Sequence, residues 1–179
     1  MIAPVTDLPL TAPAAANGYT QTGATRATAN ANSVINVVID ATALSRGLEL
    51  LTDDSLVTGL VLRDASVGSA SGIVIEGDDN VVAGNFIGVT ANGEQSAGNS
   101  GYGVQISGGG NVGGGGGGTT LGDRNLISAN GIHGVLLLGD GNIVAGNRIG
   151  TDTADNLRLE FFASSACDAS SNGEGQRLS

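Results

Sequence analysis

The sequence lacks several of the residues from which binding and catalytic sites are usually built. Its one cysteine, Cys167, excludes an internal disulfide and a cysteine-based zinc site. All seven basic residues are arginines, against 17 acidic residues, which gives a net charge of −10. A basic surface for nucleic acid is therefore missing, and attraction to anionic lipid is not expected.

Long apolar segments and large side chains are also scarce. No apolar run approaches the length that crosses a bilayer. No charged segment followed by an apolar one opens the chain, so we expect no signal peptide within it. Aromatic residues make up 3% of the chain, whereas glycine supplies 31 of the 179 residues. This is about one domain's length, and its composition suits a core of stacked Val, Ile and Leu.

A repeat organises the middle of the chain. Its clearest copy covers 134–150, where two short apolar runs are joined by a Gly/Asp corner. Four copies open on a glycine, in steps of 25, 31 and 31 residues, and each places a corner residue 8 positions later. The opening glycines are Gly47, Gly72, Gly103 and Gly134, and the corner residues are Ser55, Asn80, Asn111 and Asn142. A fixed offset in every copy identifies a true repeat.

Each copy has the properties of one rung of a β-solenoid. The apolar runs are 3–5 residues long and rich in β-branched residues, with Gly and Asn between them, which argues against a pair of helices. In such a rung the chain winds once, and each strand pairs with its counterparts above and below. Rungs stack at roughly 4.8 Å, so four or five of them give a rod of about 20–25 Å. The sequence therefore predicts an all-β fold.

The repeat also predicts which side chains stack, because alternate residues of a strand share a side. We expect three inward columns and one outward column. The first inward column holds Leu48, Leu50, Ile73, Ile75, Val104, Ile106, Val135 and Leu137; the second holds Val57, Val82 and Val144; the third holds Leu62, Ile87 and Ile149. The outward column holds Glu49, Val74, Gln105 and Leu136.

Asparagines at the corners are predicted to form ladders between rungs. Asparagine tolerates turn conformations, and its amide can satisfy the backbone of its own and the adjacent rung. We expect two such ladders, one of Asn80, Asn125 and Asn142 and a second of Asn85, Asn130 and Asn147.

We divide the chain into three parts. Residues 1–46 are loop-rich and hold an incomplete rung, with a strand over 34–40, and 47–152 hold the β-helix repeats. Residues 153–179 form an incomplete β-sandwich-like segment or a disordered tail. In that tail, 157–162 alternates like a strand, but nothing in the rest of the chain is left to pair with it.

Two insertions interrupt the repeats. They cover 89–102 and 113–124 and emerge from adjacent rungs. We expect them to form one loop-covered face, and loops on a rigid scaffold are where function usually lies.

Three segments of the repeats read Gly-Asn-Phe-Ile-Gly-Val-Thr at 84–90, Arg-Asn-Leu-Ile-Ser-Ala-Asn at 124–130 and Gly-Asn-Arg-Ile-Gly-Thr-Asp at 146–152. They resemble the right-handed parallel β-helix repeats of large bacterial secreted or cell-surface proteins, within the pectate-lyase-like superfamily. Residues 18–24 resemble a loop that precedes those repeats, with Thr22 in place of a proline. Residues 160–168 and 173–176 resemble the start of a β-sandwich that follows them.

The resemblance implies a right-handed parallel β-helix of about four to five rungs with a truncated C-terminal strand segment. It also implies an extracellular or cell-surface location. Family members usually carry further rungs and a secretion signal, so we interpret the chain as a fragment or a shortened relative. Open rod ends would then allow end-to-end self-association.

An acidic corner is the first candidate for chemistry. Asp53, Asp78 and Asp140 lie six residues after an opening glycine, with Asp54, Asp79 and Glu76 close by. Stacking would set some of these carboxylates about 5 Å apart, and Ca²⁺ takes six to eight oxygen ligands. We favour the simpler interpretation, that aspartate suits turns, but cation binding stays open.

The second candidate is polysaccharide cleavage, since several β-helix proteins act on pectin. A glycoside hydrolase needs two carboxylates on one sugar-binding face, but the expected outward column supplies only Glu49. His133 and Cys167 have no evident catalytic partner, and the glycine run at 113–118 lacks the lysine of a phosphate-binding loop. No catalytic, cofactor-binding or metal-binding residue is assigned.

The sequence thus favours a non-enzymatic structural or binding module, with glycan or protein as the candidate partner of the loops 89–102 and 113–124. The alternative is a polysaccharide lyase or glycoside hydrolase.

Overall fold

The computed structural model describes residues 1–28, 31–114 and 120–150 and places 15 strands there, three to each turn of the chain. Two short 3₁₀ turns occur at Gly18–Thr20 and Leu121–Asp123. The first rung holds β1 (Pro9–Leu10), β2 (Ala15–Asn17) and β3 (Val37–Asp40), and the second holds β4 (Arg46–Leu50), β5 (Leu56–Thr58) and β6 (Leu60–Arg63). The third holds β7 (Ser71–Ile75), β8 (Val81–Ala83) and β9 (Phe86–Ile87), and the fourth holds β10 (Tyr102–Ile106), β11 (Val112–Gly114) and β12 (Leu126–Ile127). The fifth holds β13 (His133–Leu137), β14 (Ile143–Ala145) and β15 (Arg148–Ile149).

Each strand pairs only with the corresponding strands of neighbouring rungs. The first sheet has the order β1-β4-β7-β10-β13, the second β2-β5-β8-β11-β14 and the third β3-β6-β9-β12-β15. All of these pairings are parallel. The predicted parallel β-helix is confirmed, with five rungs. Residues 1–46, where an incomplete rung was expected, contribute a strand to every sheet.

The predicted inward columns are confirmed. In the first sheet Leu50 pairs with Ile75, Ile75 with Ile106 and Ile106 with Leu137. In the third sheet Leu62, Ile87 and Ile149 align, and Ile39 and Ile127 complete that column. All of these side chains except Leu137 lie in, or pack against, one buried cluster along the axis of the coil, whereas Leu137 in the last rung is 37% exposed.

The second-sheet column has a gap. Val57 pairs with Val82 as predicted, but the next position is Gly113, and Val144 follows it. The missing side chain leaves a small, mostly apolar cavity of about 10 Å³ beside Gly113. Its walls are Ile75, Val82, Val104, Ile106, Ile127, Val135 and Val144, with Asn125 and Asn147 at one side.

Asparagine ladders occur at all three corners, and their membership differs from the prediction. In each ladder the side-chain oxygen of one residue accepts the backbone N–H of the residue one rung earlier, at 2.8–3.2 Å. The ladders contain Ser55, Asn80, Asn111 and Asn142; Leu60, Asn85, Asn125 and Asn147; and Ala65, Asn99 and Asn130.

Asn125 and Asn130 were therefore assigned to the wrong ladders. The spacing of five residues occurs at two different corner pairs, between Asn80 and Asn85 in the third rung and between Asn125 and Asn130 in the fourth. Each insertion follows a different corner. Two asparagines that are five residues apart can therefore lie at one pair of corners in one rung and at another pair in the next.

The two insertions leave the coil at different corners, on either side of the third sheet. Residues 89–102 connect the third sheet to the first, whereas 113–124 connect the second sheet to the third. The first insertion is part of the fold, since Val89, Ala97 and Asn99 are buried. Of the second, residues 115–119 lie outside the described part of the chain.

The outer surface of the third sheet has its own apolar cover. Val61 and Phe86 are in register on that surface, and they pack with Ile35 and Val89 in a second buried cluster. Tyr19, Val38, Ala91 and Leu126 border it. The N-terminal segment and the first insertion therefore cover this sheet from two sides.

Filling the gap in the second-sheet column should stabilise the protein. A Cβ at Gly113 would lie 3.7 Å from a methyl group of Val144, which is ordinary contact. We expect Gly113→Ala to raise the free energy of unfolding by about 1–2 kcal/mol, because it buries a methyl group and restricts the unfolded chain. Denaturant unfolding followed by far-UV circular dichroism measures this.

Gly103→Ala is the matched control for this prediction. A Cβ there would lie 2.5 Å from the Gly134 oxygen and 2.5 Å from a methyl group of Ile127. The substitution should lower stability. Equal effects of the two substitutions would show that the gap at Gly113 is not the cause.

Removing one ladder residue should be costly. Asn85 is fully buried; it accepts the N–H of Leu60 at 3.0 Å and donates to the Val57 oxygen at 2.9 Å. Asn85→Ala should lower the free energy of unfolding by about 3 kcal/mol or more, since each buried group left unpaired costs about 1–3 kcal/mol. Asn92→Ala, in the exposed part of the first insertion, should change it by less than about 0.5 kcal/mol.

Candidate functional site

The outer surface of the first sheet carries two columns of side chains, which we call the first-sheet face. One column consists of the residues directly before the opening glycines, and the second is the predicted outward column. The first column holds Arg46, Ser71, Tyr102 and His133, and the second holds Glu49, Val74, Gln105 and Leu136. None of these eight residues belongs to the interior cluster.

Arg46 joins two carboxylates on this face. Its Nη1 atom lies 3.1 Å from Glu49 Oε1 and 3.3 Å from Glu76 Oε1. The Glu49 side chain is only 10% exposed, whereas Arg46 and Glu76 are open to solvent. The sequence placed Glu49 outward but assigned Glu76 to the acidic corner, so it missed this pair. Arg46 occupies the space between the carboxylates, where a hydrolase would need the scissile glycosidic bond.

An aromatic pair lies at the other end of the same face. The rings of Tyr102 and His133 are 5.7 Å apart, centroid to centroid, and tilted by 34°. Both residues are half-buried. His133 opens β13 and stacks on Tyr102, the first residue of β10. The signal was present, since both residues directly precede the opening glycine of their copy.

Between these two ends the first-sheet face is less polar. Val74 lies between Glu49 and Gln105 in its column and is 3% exposed. The face therefore presents an ion-paired cluster at one end and a tyrosine–histidine pair at the other, with the buried Val74 between them. Flat polar and aromatic surfaces of this kind suit binding through hydrogen bonds and ring stacking.

The acidic corner has a structural role. Asp53 Oδ1 accepts the N–H of Asp78 at 2.7 Å, and Asp78 Oδ1 accepts the N–H of Gly109 at 2.7 Å. Asp54 and Asp79 adopt positive φ angles of 56° and 54°, which aspartate tolerates better than most residues. Asp53 and Asp78 thus tie successive turns together, each accepting an N–H of the following rung, whereas the ladder asparagines accept an N–H of the preceding rung.

The corner holds no evident metal centre. Across the described residues, no group of three or more His, Cys, Asp and Glu side chains is arranged to hold a metal ion. Asp140, the third aspartate of the predicted set, follows Gly109 in the stack and contributes its backbone oxygen to the N–H of Gly110 at 3.2 Å. Glu76 points instead to Arg46 on the first-sheet face.

A third acidic residue is ion-paired at the end of the third sheet. Asp40 and Arg63 are in register, and Arg63 Nη2 lies 2.8 Å from Asp40 Oδ2. The pKa of Asp40 is lowered, chiefly because the Thr42 hydroxyl donates to its carboxylate. Burial raises this pKa, whereas the Thr42 amide and the positive charge of Arg63 lower it further. Arg63 also contacts Asp64 at 2.9 Å.

The second insertion contacts the N-terminal segment. Arg26 lies 2.9 Å from Asp123 and 4.6 Å from the centre of the Tyr19 ring. The Tyr19 hydroxyl donates to the Gly84 oxygen at 2.7 Å. These contacts fasten the N-terminal loop to the third and fourth rungs. Cys167 and the predicted strand over 157–162 lie outside the described residues.

Comparisons with protein-family models, with curated proteins and with solved structures found no match for this chain. In the described residues, no helix is long and apolar enough to cross a membrane.

The Asp40 cluster should make stability depend on pH. The pKa of Asp40 is lowered in the folded protein. Its contribution to the free energy of unfolding is therefore fully present above the pKa that Asp40 has in the unfolded chain, and is lost as pH falls through its pKa in the folded protein. We expect the difference in unfolding free energy between wild type and Asp40→Asn to shrink from pH 7 to pH 3. Urea unfolding at each pH measures it.

Thr42→Val tests the cause of this shift. It removes the hydroxyl donor, so the Asp40 pKa should move up towards the ordinary aspartate value in a carbon-13 NMR titration. An unchanged pKa in this variant would contradict the assignment of the hydroxyl as the main cause.

Proposed function

We propose that this chain is a non-enzymatic structural and binding module, a stiff β-helix that presents the first-sheet face to a glycan or a protein. The proposal rests on the contacts that the acidic residues of this chain make with its own backbone and with Arg46. Asp53 and Asp78 accept backbone N–H groups of the next rung, and Glu49 and Glu76 share Arg46. The acids at these positions serve the architecture of the rod.

The first-sheet face is a better candidate for binding than the two insertions. The first insertion buries Val89 and Ala97 against its own rungs, so part of its surface is already used. The first-sheet face draws its side chains from four stacked strands, β4, β7, β10 and β13. Rigid strands also hold side chains more precisely than loops do.

The proposed location is extracellular or on the cell surface. It is supported by the resemblance of the Gly-Asn-Xaa-Ile-Gly corners at 84–88 and 146–150 to the repeats of secreted bacterial β-helix proteins. A net charge of −10 and the lack of lysine are compatible with this location. We also propose membership of the pectate-lyase-like superfamily on this resemblance.

The alternative, a polysaccharide lyase or hydrolase, is favoured by one observation. Glu49 and Glu76 are two carboxylates close together on one outer face, which is the minimum that sugar hydrolysis needs. For catalysis, Arg46 would have to leave the space between them when substrate binds.

An activity assay distinguishes the two functions. The full chain is incubated with polygalacturonate, alginate and neutral glucans, with and without Ca²⁺, and both unsaturated uronates and reducing ends are measured. The binding-module proposal predicts no product above the blank. Glu49→Gln and Glu76→Gln should then change nothing but the ion pairs to Arg46.

Glu94→Gln is the matched control, since Glu94 lies in the exposed part of the first insertion and contacts Asn92 at 3.0 Å. Turnover that is lost in Glu49→Gln or Glu76→Gln and kept in Glu94→Gln would establish the enzyme and end the first proposal. Turnover lost on changing Asp78 and Asp79 to Ala would instead implicate the acidic corner.

A further inference from the structure

The outer surface of the second sheet carries a column of apolar side chains in every rung, which we call the second-sheet column. Each member is in register with the member of the next rung and directly precedes the inward position of its strand, so it faces outward. The members are Ala15, Leu56, Val81, Val112 and Ile143. Leu56, Val81 and Val112 are half-buried, and Ile143 is 49% exposed.

The third sheet has a similar outward column, and that one is covered. Val61 and Phe86 are buried because the N-terminal segment and the first insertion pack over them. None of the apolar clusters of the described residues contains a member of the second-sheet column. Outward positions also accept polar residues, as Glu49 and Gln105 show on the first-sheet face. A continuous apolar column on the surface is typical of a place where a partner binds.

The size of the second-sheet column favours a single helix as the occupant. Thr58 and Ala83, the next outward residues on the same strands, are buried beside Tyr19 of the N-terminal loop, so the free strip is one side chain wide. Five rungs roughly 4.8 Å apart make it about 19 Å long. Its area of about 200 Å² is far below the roughly 800 Å² that each partner of a stable dimer buries. A helix about 10–12 Å in diameter fits it.

The spacing of the rungs also matches a helix that lies along the rod. One face of a helix repeats about every 5.4 Å, close to the roughly 4.8 Å between rungs. An extended strand in the same place repeats its side chains only about every 6.6–6.8 Å, so it falls out of step within two or three rungs. Apolar residues at i, i+3 or i+4, and i+7 of a helix therefore meet successive members of the column.

A row of carboxylates borders the second-sheet column. Asp54, Asp79 and Asp140 are exposed and lie two or three residues before the column member of their rung. Three residues span at most about 11 Å, so long side chains of a helix on the column can reach these carboxylates. In the described part of the chain, no arginine forms an ion pair with any of the three. Their negative charge is thus available to a basic partner.

We propose that the second-sheet column is the docking surface for an amphipathic α-helix of a partner protein. The apolar face of that helix lies on the column, and its Lys or Arg residues line the flank that faces Asp54, Asp79 and Asp140. Burial of the apolar side chains gives affinity, and the basic flank fixes the orientation of the helix. This surface is separate from the first-sheet face, so the proposal does not depend on the function proposed for that face.

A designed helix tests the proposal on the full chain. The probe is a fluorescein-labelled peptide of Leu and Lys, about 14 residues or about 21 Å long as a helix, with all Leu on one face. A matched peptide has Glu in place of Lys. Fluorescence anisotropy measures both dissociation constants. The Lys peptide should bind about tenfold more tightly than the Glu peptide at low salt, and the difference should shrink at about 150 mM salt because exposed charges are screened.

Substitutions in the chain locate the binding surface. Val81→Thr with Val112→Thr keeps the shape of both side chains but makes them polar, and should weaken binding of the Lys peptide about tenfold. Asp54→Asn with Asp79→Asn should weaken it only at low salt, since asparagine also tolerates the positive φ of both positions. Val67→Thr is the matched control, because Val67 is 52% exposed in the connection between β6 and β7, away from the column. Circular dichroism establishes that each variant is folded.

Four results would overturn the proposal. Equal binding of the Lys and Glu peptides would show that the carboxylates do not select a basic partner. Unchanged affinity in Val81→Thr with Val112→Thr would place the peptide elsewhere on the chain. No binding to the full chain would mean that the chain itself covers the column. A dimer of the free chain in analytical ultracentrifugation that the same two substitutions dissociate would make a second copy the occupant.

Discussion

In-register parallel pairing between successive turns of the chain is the constraint on which the rest of this structure depends. Each strand pairs with the strand one rung away, so residues 22–41 positions apart in sequence become neighbours. A slip of one residue would turn every inward side chain outward. The columns that include Leu50, Ile75 and Ile106 are buried only because the register holds in all three sheets.

Such pairing requires sharp corners, and these place backbone groups in the interior where water cannot reach them. The asparagine ladders solve this, since each side-chain oxygen accepts an N–H from the neighbouring rung, and the amides of Asn85, Asn111 and Asn125 also donate to backbone oxygens. The core can then be assembled from medium-sized aliphatic residues, which explains the low aromatic content. Asp53 and Asp78 apply the same solution at the solvent-exposed edge of one corner.

The same stacking sets the outer surface. Because the inner columns and corner ladders fix the register, outward positions are free to differ from rung to rung. The first-sheet face accordingly changes from the Arg46 ion pairs to Tyr102 and His133 within three rungs. Variation on a rigid repeating frame is what a binding surface requires, and the proposed function rests on this surface.

The sequence by itself determined the coil, its inward columns and the alternation of inward and outward side chains. These features follow from hydrophobic residues that recur at a fixed place in each copy of the repeat. It did not determine the ladders of Asn125 and Asn130, since insertions shift the spacing from corner to corner. It also missed the contacts of Arg46 with Glu49 and Glu76 and of Tyr102 with His133. Only the tertiary structure decided these contacts, because the place of an outward side chain in its copy does not show which neighbour it contacts until separate rungs have stacked.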